Sequence, residues 1–194
     1  MTTFDDTSRP GTIATSRAAS VRLLAPVGRL SLRAGEAAAA ALSAALGFEL
    51  PRRIGERAAA GGVEALRLGP DEWIVLADEP AVPRLIADCA RLYADRPHSL
   101  TDISDREFSV RIEGPMAAEL LALGCPRDID RIGIGQGRRT VFDGVAVVLW
   151  RDAEARFRLD VWRSFAPHVI ALLETGCAEL ALEGTDDAPG TIDA

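Results

Sequence analysis

The sequence predicts an α+β fold made of two related lobes, each an antiparallel sheet with helices on one face. Three observations support this prediction. The order strand, helix, hairpin and helix occurs twice along the chain. Each copy has a turn between two apolar runs, Gly69-Pro70-Asp71 in the first and Asp143-Gly144 in the second, and such turns are typical of hairpins. The first helix of each copy ends alike, in Ala45-Leu46-Gly47 and Ala122-Leu123-Gly124.

The first lobe is predicted to span residues 21–97. Its strand shows apolar and polar residues in alternation, its first helix is rich in alanine and is ended by glycine, and its second helix is amphipathic. The predicted elements are a strand around Leu30 and Leu32, a helix from Glu36 to Leu46, hairpin strands Val63 to Leu68 and Trp73 to Leu76, and a helix from Val82 to Tyr93.

The second lobe is predicted to span residues 98–180 and to repeat this plan. Its hairpin is the stronger of the two, because Asp-Gly favours the tight turn between antiparallel strands. The predicted elements are a strand from Phe108 to Ile112, a helix from Gly114-Pro115 to Leu123, hairpin strands Val141 to Phe142 and Val145 to Trp150, a strand from Phe157 to Val161, and a helix from Ala166 to Leu173.

Residues 1–20 and 181–194 are predicted to be flexible tails. Both are rich in small and polar residues and have no hydrophobic period, so little apolar surface is available to offset the entropy of ordering them. The alternative for the first tail is an arm that docks on a partner.

The composition excludes several classes of function. A net charge of −7 argues against nucleic-acid binding, and no apolar run approaches the roughly 20 residues of a membrane span. The chain has no lysine, which excludes Schiff-base catalysis, a lysine general base and a Walker lysine. Cys89, Cys125 and Cys177 lack the spacing of a zinc site, so a reduced, cytoplasmic location is expected.

Few residues are candidates for chemistry. His98 and His168 have no nearby Ser or Cys at a spacing that the sequence can tie to a catalytic dyad, and both are predicted to be structural. Asp102, Asp105, Arg106 and Glu107 are expected to form a solvated or ion-paired turn at the entry of a strand, in preference to an acid–base site. No catalytic, cofactor-binding or metal-binding residue is therefore predicted on this chain.

The tryptophans are the candidates for structural or interface roles. Trp73, Trp150 and Trp162 lie on predicted strands, where a large ring serves either core packing or a binding surface. Arg163 and Phe165 follow the last of them and are expected to brace the final helix. These five residues are predicted to be interface or structural anchors.

Spaced motifs in the chain resemble those of a known family. The second lobe, with Ile112-Glu113-Gly114-Pro115, is similar to folate-binding aminomethyltransferases. More narrowly, the chain from about residue 21 to 176 resembles the gamma subunits of heterotetrameric sarcosine oxidases. The motifs that carry this second resemblance are Leu68-Gly69-Pro70-Asp71-Glu72-Trp73, Asp102-Ile103-Ser104-Asp105-Arg106, Gly124-Cys125-Pro126 and Trp162-Arg163-Ser164-Phe165-Ala166-Pro167.

The resemblance implies a fold, partners and a function. It implies an aminomethyltransferase-like fold in a non-catalytic gamma subunit, assembled with alpha, beta and delta subunits. Those partners would hold FAD, FMN, NAD, tetrahydrofolate and zinc, and the complex would demethylate sarcosine oxidatively to glycine. Where aminomethyltransferases carry acidic residues after the hairpin glycine, this chain has Val145-Ala146-Val147-Val148. The alternative is a stand-alone one-carbon transferase that uses tetrahydrofolate.

Overall fold

The structure is a computed structural model that describes residues 9–183. Within this range the chain forms eleven strands and four α-helices. The strands are β1 (Gly11–Thr15), β2 (Ser20–Leu23), β3 (Gly28–Ala34), β4 (Arg57–Ala60), β5 (Val63–Gly69), β6 (Glu72–Ala77), β7 (His98–Asp102), β8 (Glu107–Glu113), β9 (Gln136–Phe142), β10 (Val145–Ala153) and β11 (Arg156–Trp162). The helices are α1 (Glu36–Leu46), α2 (Val82–Ala90), α3 (Ala117–Ala122) and α4 (Ala166–Glu183).

The strands form two antiparallel sheets. The six-stranded sheet has the order β1-β2-β8-β11-β10-β9, and the five-stranded sheet has the order β4-β5-β6-β3-β7. The predicted α+β fold is therefore confirmed. None of the helices in the described range is both long enough and apolar enough to span a membrane.

The sheets lie between two layers of helices. Helices α1 and α2 bury Leu42 and Leu85 against Leu32 of the five-stranded sheet. Helices α3 and α4 share a second core with the six-stranded sheet. The other faces of the two sheets meet each other through a smaller apolar cluster that includes Leu66 and Trp150. The layers therefore follow the order helix, sheet, sheet, helix. Both sheets contribute side chains to the interface between them.

Local sequence signals explain several boundaries. Gly47 ends α1 in the left-handed conformation, at a φ of 84°, which glycine adopts without steric cost. Asp143 and Gly144 join β9 to β10 with φ values of 46° and 78°, as expected of a tight hairpin turn. Along β3, Leu30 and Leu32 point toward the helices, so Arg29, which precedes Leu30, points toward the other sheet.

The structure corrects the predicted N-terminal tail. Residues 11–15 form β1 and residues 20–23 form β2 of the six-stranded sheet, where β1 pairs with β2 and β2 pairs with the distant strand β8. Ile13 packs against the buried core, and the Ser16 hydroxyl donates a 2.9 Å hydrogen bond to the carbonyl of Cys177. These partners are remote in sequence, so composition alone does not reveal them. Residues 1–8 lie outside the described range.

The structure also shifts the boundary between the predicted lobes. Strand β7, assigned to the second lobe, pairs with β3 in the five-stranded sheet. Strand β2 lies at the predicted start of the first lobe but belongs to the six-stranded sheet. Helix α4 continues past the predicted end at Leu173 as far as Glu183, so residues 181–183 of the predicted C-terminal tail are helical. Residues 184–194 are outside the described residues.

Candidate functional site

A cluster of charged side chains is buried where the two sheets meet. Arg29 on β3 reaches across the interface, with Nη1 2.8 Å from Oδ2 of Asp160 and 3.1 Å from Oε2 of Glu107. Its Nη2 donates a 2.9 Å hydrogen bond to the hydroxyl of Ser109, which in turn donates a 2.5 Å bond to Asp160 Oδ1. The indole Nε1 of Trp150 donates to Asp160 Oδ2 at 2.7 Å. Asp160 is thus held by three donors.

The electrostatics of this cluster keep both partners ionised. Burial opposes the charge on Asp160, but Arg29, Arg158 and the Ser109 hydrogen bond together hold the pKa of Asp160 below its usual value. Burial likewise opposes the charge on Arg29, but Asp160 and Glu107 raise the pKa of Arg29 above its ordinary value. The arrangement is suited to a fixed ion pair and not to proton transfer.

A second set of ion pairs lies beside Trp150. Arg158 Nη1 is 2.7 Å from Glu64 Oε1, and Arg57 contacts both Glu64 and Asp152, the latter at 2.6 Å. The guanidinium of Arg158 lies 4.4 Å from the centroid of the Trp150 ring, a cation–π arrangement. These pairs join β4 and β5 of one sheet to β10 and β11 of the other.

A small cavity of about 170 Å³ adjoins the buried cluster between the sheets. Its carboxylates are Glu72, Glu107 and Asp160, and each is engaged by an arginine. Arg139 donates two bonds to Glu72, at 2.9 and 2.6 Å, and this hydrogen bonding lowers the pKa of Glu72.

The same cavity is lined by part of the Val145-Ala146-Val147-Val148 segment, where the sequence differs from that of aminomethyltransferases. Ala146 and Val148 of β10 line it, so methyl groups lie where the resemblance implies carboxylates. A reaction centre would need a free acid, base or nucleophile within reach of a substrate. The cavity offers paired charges and apolar walls.

The predicted anchors separate into two groups. Trp73 is buried in the core under α1 and α2, where its Nε1 donates a 2.9 Å bond to the carbonyl of Pro51, and Trp150 is buried between the sheets. Trp162 and Phe165, by contrast, are 47% and 48% exposed at the junction of β11 and α4. Core packing therefore explains two of the tryptophans and leaves the third open to solvent.

Arg163 ties this junction to the start of β8. Its Nε donates a 3.1 Å bond to the carbonyl of Asp105, and its guanidinium lies 4.6 Å from the Phe108 ring centroid. Arg106 lies over the neighbouring Trp162 ring at 5.3 Å. We call Trp162, Arg163 and Phe165 the junction patch. The interface or structural role of its residues remains a prediction.

Each histidine lies within hydrogen-bonding distance of one neighbouring oxygen, and the three cysteines are buried free thiols. His168 Nε2 lies 2.8 Å from Asp143 Oδ2 on the surface, and His98 Nδ1 lies 2.7 Å from the carbonyl of Arg96. Burial raises the pKa of the Cys89 thiol to about 11. Within residues 9–183, no group of three or more His, Cys, Asp or Glu side chains is placed to bind a metal ion.

Sequence reasoning missed the buried cluster of Arg29, Glu107 and Asp160. Arg29 and Asp160 carry no signal in the sequence that distinguishes them from exposed strand residues. Each residue is polar at an alternating position of a strand, which is also the pattern of a solvent-facing side chain. The sequence carries no local signal that a second sheet covers that face.

Comparisons with known proteins give the chain a family. No protein-family model matches it. The sarcosine oxidase subunit gamma of Corynebacterium sp. strain U-96 is 34% identical over 179 residues, which cover 87% of this chain and 86% of that subunit. The sarcosine oxidase subunit gamma of an Arthrobacter species is 31% identical over 172 residues, 86% of this chain and 84% of its own length.

Solved structures with a similar fold include a sarcosine oxidase and an aminomethyltransferase. A chain of the heterotetrameric sarcosine oxidase from Corynebacterium sp. U-96, solved with pyrrole 2-carboxylate, superposes with a TM-score of 0.78 at 32% identity over 88% of this chain and 89% of that one. The glycine cleavage system aminomethyltransferase T of Bartonella henselae gives a TM-score of 0.64 at 14% identity, over 82% of this chain and 46% of that enzyme. The second likeness shows the fold alone.

The two layered sheets and these likenesses define an α+β protein of the aminomethyltransferase-like fold, as the sequence predicts. Sequence identity above 30% over most of both chains shows the family in addition to the fold. The chain belongs to the family of sarcosine oxidase gamma subunits, so the resemblance stated from its motifs is confirmed.

Proposed function

We propose that this chain is the gamma subunit of a heterotetrameric sarcosine oxidase and that it contributes assembly and stability while bonds are made and broken on other subunits. The observation that supports the non-catalytic part is the pairing of every carboxylate lining the inter-sheet cavity with an arginine. Each of these carboxylates is already bound by an arginine, so none is a free acid or base for a substrate.

The partners in this proposal are alpha, beta and delta subunits in the cytoplasm. They would hold FAD, FMN, NAD, tetrahydrofolate and zinc, and would convert sarcosine to glycine with release of hydrogen peroxide and formaldehyde or its methylene-tetrahydrofolate equivalent. This chain would supply packing surface to that assembly and no bound cofactor.

The junction patch is the contact surface that we propose for a larger subunit. Two half-exposed aromatic rings flank an arginine there, and Trp, Tyr and Arg are the residues most enriched at interface hot spots. Arg163 is already braced by its bonds to the 105–108 region, so little side-chain entropy remains to be lost when a partner binds.

The complex itself provides the first test. Genes for the alpha, beta and delta subunits are co-expressed with and without this chain, and the purified material is analysed by size-exclusion chromatography and for sarcosine-dependent peroxide formation. We expect omission to prevent assembly or shorten the lifetime of the oxidase. Assembly and activity that are unchanged without the chain would rule the proposal out.

The contact surface has a separate test. The double variant Trp162→Ala, Phe165→Ala is compared with Tyr93→Ala. Tyr93 is another exposed aromatic residue, and it is distant in sequence from the junction patch. We expect the paired change to weaken subunit association by roughly 2 kcal/mol or more, about thirtyfold in Kd, and the control to leave it unchanged. Equal effects of the two changes would remove the junction patch from the interface.

Calorimetry with tetrahydrofolate distinguishes the alternative of a stand-alone one-carbon transferase. That alternative requires the isolated chain to bind folate with measurable heat. We expect no binding heat, because the carboxylates of the cavity are already paired and its β10 wall is apolar.

A further inference from the structure

Three arginines lie side by side on adjacent strands of the six-stranded sheet. Arg22 on β2 is directly opposite Arg111 on β8, and Arg111 is directly opposite Arg158 on β11. Val21 and Ile112, their neighbours along the strands, lie in the core under α3 and α4, so the arginines share the opposite face. We call these three residues the arginine row. Like charges placed directly opposite each other destabilise a sheet unless an anion compensates them.

The five-stranded sheet reaches only one end of the arginine row. The side chain of Arg158 is 12% exposed and lies 2.7 Å from Glu64 of β5. Arg111 is half-buried, and Arg22 is exposed. Exposure therefore increases along the row from the interface between the sheets toward solvent. The part of the row that another molecule can reach is formed by Arg22 and Arg111.

Charges balance at the covered end of the row. Arg57 and Arg158 are the two cations there, and Glu64 and Asp152 are the two anions. Each of these carboxylates contacts both arginines. No carboxylate of this group is left over to compensate the rest of the row.

At the open end of the row, arginines outnumber carboxylates. Glu113 lies two residues from Arg111 on the same face of β8, and its ion pair is with Arg156 at 4.0 Å. One carboxylate thus serves three arginines, which leaves a surplus of two positive charges. The guanidinium groups of Arg22 and Arg111 make no hydrogen bond or ion pair with any residue in the range 9–183. The Nε of Arg111 is also buried without a partner among those residues, which is rare for a buried donor.

The chemistry of these two groups favours a carboxylate carried by another protein chain. A guanidinium binds a carboxylate through two parallel hydrogen bonds. Free polyanions are disfavoured, because the net charge of −7 repels them at long range. A carboxylate on a protein that is already bound through other contacts does not face this barrier. Since the relatives of this chain are oxidase subunits, a partner subunit is the natural carrier.

We infer that Arg22 and Arg111 form a second docking site, which binds an acidic segment of a partner subunit through its Asp or Glu side chains. This inference rests on the proposed function and adds a contact of different chemistry from the aromatic junction patch. Trp162 of that patch and Arg158 are four residues apart on β11, or about 13 Å, so a single large subunit can cover both surfaces.

The absence of lysine from the chain allows a direct test. Arg22→Lys introduces the only side-chain amine, and a carbodiimide joins such an amine to a carboxylate that touches it. The variant is co-expressed with alpha, beta and delta subunits, and the purified complex is cross-linked and analysed by mass spectrometry. We expect a cross-link from position 22 to an Asp or Glu of a partner subunit. Arg127→Lys, at an exposed loop position, is the matched control and should give none.

Subunit affinity provides a second measurement. We expect Arg22→Gln with Arg111→Gln to weaken binding to the partner subunits by about tenfold or more at 0.15 M salt. The difference from the native chain should shrink at 1 M salt, where the Debye length falls from about 8 Å to about 3 Å. Arg127→Gln should bind as the native chain does. Thermal unfolding checks that the double variant is folded, and Arg22→Gln alone, at an exposed position, replaces it if it is not.

The outcomes separate this inference from the proposed function. If the native chain assembles but the arginine variants bind equally tightly at both salt concentrations, the docking site is ruled out and the proposed function stands. The same holds if position 22 forms no cross-link, or is joined only to carboxylates of this chain or of a second copy. If the native chain does not assemble with the other subunits at all, both proposals fail.

Discussion

Arg29 and Asp160 form an ion pair across the interface between the two sheets, with 2.8 Å between Nη1 and Oδ2 and side chains that are 1% and 0% exposed. One residue lies on β3 and the other on β11, so the pair exists only when both sheets have formed and have packed in register. Glu107, 3.1 Å from the same nitrogen, gives the cluster a second carboxylate. Correct packing of the sheets and the pairing of their buried charges are therefore coupled.

Removing Arg29 should destabilise the protein strongly. Arg29→Met keeps an apolar side chain of similar length but leaves Asp160 buried without its ion-pair partner, while Glu107 keeps Arg106 at 2.7 Å. Breaking a buried pair in this way costs about 3–5 kcal/mol. Urea unfolding at neutral pH measures the loss.

Arg33→Met is the matched control, because Arg33 lies on the same strand. Its pair with Asp71 is 3.0 Å long, but the two side chains are 52% and 55% exposed. We expect this change to cost no more than about 1 kcal/mol. If the two variants lose similar stability, the buried cluster has no special energetic role.

Asp160 should make stability depend on acid pH. Its pKa is lower in the folded protein than in the unfolded chain, where it is about 3.9. The stabilisation from its charge is therefore fully present above about pH 4 and is lost as pH falls through the folded pKa. In Asp160→Asn this contribution is absent at every pH.

The measurement is unfolding free energy of both proteins between pH 3 and pH 7. We expect Asp160→Asn to be the less stable near neutrality, and the gap between the two to narrow on acidification. A gap that is constant over this range would show that Asp160 does not titrate as its burial and partners imply.

The parts of the fold that the sequence predicts correctly depend on neighbours in the chain. Helix α1 has the predicted bounds because alanine favours helix and Gly47 adopts a φ of 84°. The β9–β10 hairpin follows from the two positive φ values of Asp143 and Gly144. In both cases the signal and the structure lie within a few residues of each other.

The parts that the sequence does not predict depend on remote partners. Strand β1 has no hydrophobic period of its own and is ordered by β2, which in turn pairs with β8. Arg29 and Asp160 are 131 positions apart. Trp150 and Trp162 both lie on strands, yet one is covered by the opposite sheet and the other is half exposed at a strand end. Sheet packing decides these outcomes.

The two buried tryptophans should respond differently to the same change. Trp150→Phe and Trp73→Phe remove the same volume and one indole donor each, but Trp150 donates to the Asp160 carboxylate and Trp73 to the Pro51 carbonyl. Hydrogen bonds to charged groups contribute about 1.5–3 kcal/mol and neutral ones about 0.5–1.5. We expect Trp150→Phe to be the more destabilising in chemical unfolding; the reverse order would contradict the charge-assisted bond.

Gly114 should be intolerant of any side chain, which gives a physical reason for a glycine in the Ile112-Glu113-Gly114-Pro115 motif. Its φ is 143°, and an added Cβ would lie 2.7 Å from Ala19 Cα and 2.8 Å from the carbonyl oxygen of Ala18. Both are backbone atoms of the turn between β1 and β2, and Met116 N donates a 2.9 Å bond to that same oxygen. The turn therefore cannot retreat without breaking a bond that positions α3.

Gly114→Ala should accordingly cost more than about 2 kcal/mol in unfolding free energy, through a strained φ and a backbone clash together. Gly35→Ala is the control, because Gly35 has an ordinary φ of −72° and open space at its Cβ position. We expect the control to change stability by less than about 1 kcal/mol. Gly114 contacts the turn between β1 and β2. A large loss of stability in Gly114→Ala and a small one in Gly35→Ala would therefore show that the β1–β2 hairpin is part of the cooperative fold. Equal stability of the two variants would show instead that the hairpin can separate from α3 at little cost.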